Sequence, residues 1–443
     1  MSDRPDSVPP AAPVPSAPPV DDAVRREADR QLQILLRGVE ELLPLDEFRS
    51  KLERSIRDGR PLRVKQGFDP TAPDIHLGHA VGLRKLREFQ DLGHQVVVIV
   101  GDYTGMVGDP SGRSKTRPQL TAADVERNAT TYLEQFFRIV DRAKTEVHKN
   151  GEWFAPMRFV DVLHLASRYT VARLLERDDF SKRWQANQPI SVHELMYPLM
   201  QGHDSVEIRS DVELGGTEQK FNLLVGRALQ EDAGQEPQAI LTLPILVGLD
   251  GVQRMSKSLG NYVGISESPA EQFGKLMSIP DERLIHYWTL AAHAPADEVA
   301  RIEAALAAGD NPMIWKKAMG ERVVALYHGA DAARHAREGF EQQFSRRGRP
   351  PEAVLWMLPA GPPVPLRKLL VDTGLVKSGG EAKRKIEEGA VEVDETPVGD
   401  PAHEVALAVD RVTLVRLGRR WIQVRADANA AAPTPSATPL PIA

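Results

Sequence analysis

Apolar residues are distributed along this 443-residue chain in two alternating patterns. Continuous Val/Ile/Leu-rich runs predict strands: L-R-V-K-Q-G-F at 62–68, V-V-V-I-V at 96–100, M-R-F-V-D-V at 157–162 and A-I-L-T-L-P-I-L-V at 239–247. Between them lie stretches with helical spacing, such as Ala80 to Asp91, which sets Leu83, Leu86 and Phe89 on one face. Unbroken apolar strands separated by amphipathic helices predict a parallel α/β sheet covered on both faces. In such sheets ligands bind beyond the carboxyl ends of the strands, where G-F-D-P-T at 67–71 and G-D-Y-T-G at 101–105 fall.

The pattern changes at both ends and twice in the interior. Residues 1–25 and 427–443 are rich in Pro and Ala with little to bury, and are expected to be disordered tails. Residues 26–265 carry the strand and helix alternation, and 266–345 become almost wholly helical. Residues 346–365, with R-R-G-R-P-P and L-P-A-G-P-P-V-P, read as a linker. A small α+β module is expected over 366–426: Ser378 and Glu381 have capping-box spacing, Lys383, Arg384 and Lys385 lie on the helix that follows, Gly389 ends it, and two strands meet at Gly418.

Composition narrows the chemistry. There is no cysteine, which excludes disulfides and thiolate metal sites. A net charge of −6 means that any nucleic-acid contact must use local basic patches. The first residues lack the apolar core of a signal peptide and no run reaches membrane-spanning length, so a cytoplasmic protein without a membrane partner is expected.

Two segments far apart in sequence carry the chemistry. H-L-G-H, His76 to His79, opens a helix behind a tight turn, where free backbone N–H groups favour an anion. The three-residue spacing puts His76 and His79 on one side of the first turn. R-M-S-K-S, Arg254 to Ser258, lies in a polar loop after a buried strand, from which Lys257 can swing onto a phosphate chain as a point charge. In G-D-P-S-G-R-S-K-T-R, Arg113 and Arg117 fit either a solvated turn or a phosphate contact. Tyr197, Gln201 and Asp204 follow at spacings of four and three, on one helix face among Met196, Leu199 and Met200. Buried polar groups need partners, and an aromatic amino acid with a hydroxyl would satisfy these.

The paired motifs resemble the signatures of class I aminoacyl-tRNA synthetases. With G-F-D-P-T, G-D-P-S-G and G-G-T-E-Q the chain resembles the bacterial tyrosyl-tRNA synthetases from about Leu62 into the final module. The resemblance implies a Rossmann-like parallel sheet, then an α-helical domain and a small α+β RNA-binding domain. It implies activation of tyrosine by ATP to tyrosyl-adenylate and transfer to the 3′ end of tRNA(Tyr). Thr71, His76, His79, Arg113, Arg117 and Lys257 would be catalytic. Gly67, Gly78, Gly216, Glu218, Gln219, Met255, Ser256 and Ser258 would join His76, His79 and Lys257 around ATP. Asp204 would accept a hydrogen bond from the phenol, while Tyr197, Gln201 and Asp109 hold the α-ammonium and Asp69 and Gln66 line the floor. Lys383, Arg384, Lys385, Arg416, Arg419 and Arg420 would meet tRNA phosphates, although Glu387, Glu388 and Glu392 nearly balance their charge. Mg2+ is expected with ATP, without a dedicated protein cage, and a homodimer is expected by resemblance alone.

Two positions depart from the family pattern. Glu218 stands where many relatives carry Asp, and Lys65 stands where one branch carries a tyrosine that touches the phenol, which leaves a second phenol partner unnamed. The competing readings are a tryptophanyl-tRNA synthetase, a small cytidylyltransferase, or an inactive RNA-binding paralogue.

Overall fold

The computed structural model describes residues 21–70, 74–109, 121–342, 354–394, 396–418, 420–428, 430 and 434–435. The chain divides into two compact units, Met1–Arg337 and Glu338–Ala443.

The first unit is built on a six-stranded sheet: β1 (Glu41–Leu43), β2 (Arg63–Phe68), β3 (Gln95–Val100), β4 (Thr145–Lys149), β5 (Val212–Gly216) and β6 (Ala239–Leu243). Their spatial order is β1-β6-β5-β2-β3-β4. All pairs are parallel except β1 on β6. Every residue from Val96 to Val100 and from Ala239 to Leu243 is buried, as a strand covered on both faces requires. From β2 the chain winds outward to β3 and β4, then returns to lay β5 against the other side of β2. This reversal leaves the carboxyl ends of β2 and β5 diverging.

The helices that matter for the site are α1 (Asp22–Leu35), α2 (Leu45–Asp58), α3 (Leu77–Asp91), α4 (Ala122–Phe136), α5 (Phe159–Ser167), α6 (Val192–Ile208) and α7 (Lys220–Asp232). α6 and α7 pack closely because both carry glycine at their crossing. A Cβ on Gly202 would lie 2.9 Å from the Leu229 side chain and 3.1 Å from the Gly226 backbone N. Helices also dominate after residue 268, with α8 (Pro269–Met277) and α9 (Pro312–His328) packed around Phe273, Leu276 and Val323.

Several expectations are corrected. The run at Met157–Val162 is not a strand but the start of α5, because Asp161 accepts hydrogen bonds from the backbone N and guanidinium of Arg158 and caps a helix there. Its apolar side chains are displayed rather than buried, with Phe159 77% exposed. The edge strand is instead β4, which is half-polar, and β5 carries Glu213 inside its run; both escape a search for continuous apolar segments. α3 starts at Leu77 rather than Ala80, the strand predicted to reach Val247 stops at Leu243, and α1 begins within the stretch read as tail.

The second unit holds a sheet in the order β10-β9-β12-β13-β7-β14. Its strands are β7 (Val354–Pro359), β9 (Val391–Val393), β10 (Thr396–Val398), β12 (Thr413–Leu417), β13 (Arg420–Asp427) and β14 (Thr434–Pro435), while β8 (Val364–Pro365) pairs with β11 (Glu404–Val405). Leu366, Leu369, Ile386 and Val415 form its core beneath α10 (Gly379–Glu387). Val354–Pro359, read as linker, is therefore a strand running parallel to β13, and Thr434–Pro435, read as tail, pairs with it. A proline-rich stretch serves on a strand when its missing N–H groups face away from the ladder. The Ser378 hydroxyl accepts from the Glu381 N–H as expected, but the Glu381 carboxylate reaches the Lys377 N–H, one residue earlier than a capping box would.

Candidate active site

Where β2 and β5 diverge, a cavity of about 270 Å³ opens. β2 supplies Gln66, Gly67 and Phe68 with Asp69 just beyond; β5 supplies Leu214, Gly215 and Gly216. α6 adds Tyr197, Gln201 and Asp204, and Asp109, Gln219 and His79 close the wall. Gly67 has its nearest side-chain neighbour, Ile99, at 3.9 Å from a would-be Cβ, so its backbone lies open to a ligand.

Asp204 is the buried charge of this wall. The Trp153 indole donates to one of its oxygens at 2.9 Å and Asn150 Nδ2 to the other at 3.4 Å. Burial pushes the carboxyl up to about 7, opposed by nearby Lys65 and by these two donors. Two turns earlier on the same helix, the Tyr197 hydroxyl donates to Asp69 at 2.9 Å, and Thr104 donates to the other Asp69 oxygen at 2.7 Å. Gln219 Nε2 donates to Asp109 at 2.9 Å, and Asn222 Nδ2 bridges Gln201 Oε1 and Gln219 Oε1 at 3.0 and 3.1 Å. The cavity is thus ringed by acceptors already fixed in direction, as a site for a small zwitterion with a polar tip requires.

His76 and His79 stack at 3.8 Å with their planes 18° apart, on one side of the first turn of α3 as their spacing predicts. Burial, then the neighbouring His79 and Lys257, push His76 down to about 3. His79 opens onto the cavity and is lowered in the same direction, by the protein around it and by Lys257. Both rings are therefore neutral at pH 7 and act as hydrogen-bond donors rather than cations. The His76 backbone N–H approaches His79 Nδ1 at 3.5 Å, which leaves the His79 proton on Nε2. Gln66 Oε1 and His76 Nδ1 are buried without a hydrogen-bond partner among the described residues. Gly78 has room only for hydrogen: a Cβ would sit 3.0 Å from the His76 ring and 3.6 Å from Met255.

The loop Arg254 to Ser258 is docked beside this helix start. The Leu77 N–H donates to Val263 O at 2.9 Å and the Ile265 N–H to Ile75 O at 3.0 Å. Asn261 ties the loop: its Oδ1 accepts from the Ser256 N–H at 2.8 Å while its Nδ2 donates to Asp250 at 2.6 Å and Arg254 O at 3.1 Å. Lys257 Nζ pairs with Asp74 at 2.6 Å on the surface. Ser256 and Ser258 bond each other through their hydroxyls at 3.0 Å.

The structure thus brings Gly67, Asp69, His79, Asp109, Tyr197, Gln201, Asp204, Gly216 and Gln219 to one cavity, with His76, Gly78, Met255, Ser256, Lys257 and Ser258 beside it. Glu218 stands exposed at the rim with its carboxylate folded over Gly216. Thr71, Arg113, Arg117 and Arg419 lie outside the described residues. In the second unit Lys383, Arg384 and Lys385 share α10, but Glu387 and Glu388 pair with them at 2.7 to 3.8 Å. Arg416 pairs with Glu392 at 2.9 Å, and Arg420 donates to Leu375 O. Trp153, Asn150, Thr104 and Asn261 were missed from sequence. Asn150 follows β4 directly, so identifying that strand would have exposed it.

The family described as tRNA synthetases class I (W and Y) matches residues 57–345. The tyrosine–tRNA ligase of Symbiobacterium thermophilum is 53% identical over 394 residues, covering 88% of this chain and 96% of that protein. That of Moorella thermoacetica is 50% identical over 401 residues, 90% and 96% of the two chains. The chain belongs to the tyrosyl-tRNA synthetases. Solved folds agree with this synthetase: a truncated mitochondrial tyrosyl-tRNA synthetase from Aspergillus nidulans superposes with a TM-score of 0.60 at 20% identity, covering 73% of this chain and 99% of that one. One from Archaeoglobus fulgidus, complexed with L-tyrosine, gives 0.58 at 22% identity, covering 70% and 99%.

Because Asn261 joins the Ser256 N–H and the Arg254 carbonyl of the synthetase's loop to Asp250, Asn261→Ala should loosen the loop without touching the cavity. We expect the KM for ATP in pyrophosphate exchange to rise about tenfold with the tyrosine dissociation constant unchanged. Equal changes in both would place the loop's role elsewhere.

Proposed function

We propose that the cavity between β2 and β5 is where this class I tyrosine–tRNA ligase joins tyrosine to ATP. The observation that supports this most is Asp204, a buried carboxylate aimed by Trp153 and Asn150 into a cavity lined by further fixed acceptors. The phenol hydroxyl donates to Asp204, and the α-ammonium lies among Tyr197, Gln201 and Asp109. The tyrosine carboxylate then attacks the α-phosphorus of ATP, the bond to the β-phosphate oxygen breaks, and pyrophosphate leaves. No side-chain nucleophile is needed, so the protein supplies position and charge stabilisation. His76 and His79 donate N–H bonds to phosphate oxygens, with Thr71, Arg113 and Arg117 assigned to the same phosphates. Lys257 leaves Asp74 to offset the charge that grows on pyrophosphate. Gly67 and Gly78 admit the nucleotide closely, Met255 packs beside it, and Gly216, Glu218 and Gln219 meet its ribose and the reacting carboxyl. In the second step a terminal ribose hydroxyl of tRNA(Tyr) attacks the carbonyl of the adenylate and AMP departs. Magnesium enters chelated to ATP. Its other ligands are phosphate oxygens and water, as a small, hard cation that dehydrates reluctantly prefers.

The basic residues of α10 and of the β12–β13 hairpin hold tRNA phosphates, exchanging their glutamate partners for RNA. A second copy of the chain completes the assembly: Phe159, Val160, Leu163, Val171, Trp184 and Val192 all stand exposed within 34 residues of sequence, a density of apolar surface that a monomer does not leave open. No described helix is long and apolar enough to cross a membrane.

Four outcomes test this reading. Asp204→Ala should lower tyrosine kcat/KM about 10- to 150-fold, the worth of a hydrogen bond to a charged group, and leave phenylalanine nearly unchanged; an undiminished preference for tyrosine would assign the phenol to another group. In the parent enzyme tyrosine kcat/KM should fall as pH drops through about 7, as Asp204 takes up a proton and becomes a weaker acceptor; a profile flat from pH 8 to 6 contradicts this. Replacing Lys383, Arg384 and Lys385 together by alanine should reduce the salt slope of tRNA binding by about 2 to 3 with adenylate formation intact; an unchanged slope removes α10 from the RNA surface. Phe159→Glu with Trp184→Glu should yield a monomer in sedimentation, and a persistent dimer would place the interface elsewhere.

A further inference from the structure

Beneath the cavity lies a group of charges that the reaction does not call on. Lys65 on β2 and Glu213 on β5 are register partners on adjacent parallel strands, and both are essentially inaccessible to water. Their ion pair measures 2.8 Å. The other two Lys65 donors reach Gln201 O at 2.8 Å and the Ser205 hydroxyl at 2.7 Å, both on α6. Glu213 in turn accepts from Gln201 Nε2 at 3.2 Å, from Ser205 Oγ at 3.1 Å, and from Gln238 Nε2. Gly226 makes room for the cluster, since a Cβ there would lie 2.6 Å from Gln238 Nε2. Every donor of the ammonium and both oxygens of the carboxylate are used.

Such a pair is a poor way to gain stability, because burying two charges costs about what their attraction returns, and a well-packed apolar pair would serve as well. What an apolar pair would not supply is a fixed cation under α6 between Gln201 and Asp204, the residues one turn apart that face the amino acid. The other charged or titratable groups near Asp204 are Glu213 from β5, His203 and Tyr197 from its own helix, and Asp69 across the cavity.

We propose that Lys65, balanced by Glu213, is the positioning residue that sets tyrosine specificity: its ammonium clamps α6 at Gln201 and Ser205 and keeps Asp204 a carboxylate that accepts from the phenol. It acts not as a second phenol contact but as the countercharge that lets a single contact suffice. Lys65 favours the ionised form of Asp204, and Glu213 opposes it while dividing the ammonium's field. The two partners therefore tune the carboxylate in opposite directions. The inference rests on Asp204 being the phenol acceptor.

The test uses the full-length enzyme and reads tyrosine and phenylalanine kcat/KM in pyrophosphate exchange from pH 5.5 to 9. Lys65→Met combined with Glu213→Gln removes both charges without stranding either. In this double variant the acidic limb for tyrosine should move to higher pH, the tyrosine KM should rise about tenfold with kcat retained, and the tyrosine-to-phenylalanine ratio should fall by a similar factor. Glu213→Gln alone leaves the ammonium undivided, so its limb should move to lower pH. Loss of a merely structural prop would lower both substrates alike and leave the limb in place, and that result overturns the inference. So does movement of the two limbs in the same direction. Should the double variant fail to fold, the single one decides: a limb shifted down supports the inference and an unmoved limb ends it. Asp204→Asn in the parent separates the two layers. If it abolishes discrimination while the Lys65 variants do not, only this inference fails; if it leaves discrimination intact, the assignment of the phenol to Asp204 fails first.

Discussion

A parallel sheet cannot reverse its direction of winding without leaving a gap, and the rest of this enzyme depends on that constraint. Strands added outward from β2 toward β4 place their crossovers on one face, and strands added from β5 toward β6 place theirs on the other. The connections leaving β2 and β5 must therefore part company at the carboxyl end of the sheet. The cavity is that parting. Its walls come from stretches whose direction the sheet has already fixed, so Gly67 and Gly216 are held by strand geometry, with Asp69 immediately after the end of β2. α6 crosses over the gap, and its close seat on α7 at Gly202 fixes how far Gln201 and Asp204 reach into it.

Inside this frame the protein handles charge by two opposite routes. At the end we propose for the phosphates it strips charge away: His76 and His79 are stacked, partly enclosed and neutral, so they offer directed N–H bonds without adding repulsion to Lys257. Under the end we propose for the amino acid it keeps charge and surrounds it, with Lys65 and Glu213 bonded at every polar atom. The first arrangement suits a ligand that brings its own strong charge. The second suits a neutral phenol, which must be recognised by an acceptor that water cannot reach.

Much of this was legible in the sequence, for physical reasons that also explain what was not. The central strands β3 and β6 were visible because strands buried on both faces are apolar almost throughout, and β2 showed through Val64 and Phe68, with Leu62 just before it, despite carrying Lys65. The edge strand β4 and the Glu213-bearing β5 break that rule, one by facing solvent and the other by carrying a buried charge, and so passed unseen. The exposed apolar run at Met157–Val162 imitated a strand because a short run has no period long enough to tell helix from strand. Tyr197, Gln201 and Asp204 were found because one helix sets their spacing, and His76 and His79 for the same reason. Trp153 and Asn150 reach Asp204 from more than fifty residues away, across a fold that no local spacing encodes. Lys65 was noticed only as a mismatch, since nothing in a strand's sequence tells which buried carboxylate will face it.

The antiparallel edge strand β1 has a consequence for the order in which the molecule is made. Glu41, Leu42 and Leu43 pair with Thr242, Leu241 and Ile240, about two hundred residues later in the chain. A ribosome adding roughly 5 to 20 residues each second needs on the order of ten to forty seconds to supply those partners. Until then α1, α2 and the strand between them have no sheet edge to join. The stretch from α1 to α2 is thus synthesised well before it can find its place, and the sheet closes at this edge only after the strands around the cavity have been made.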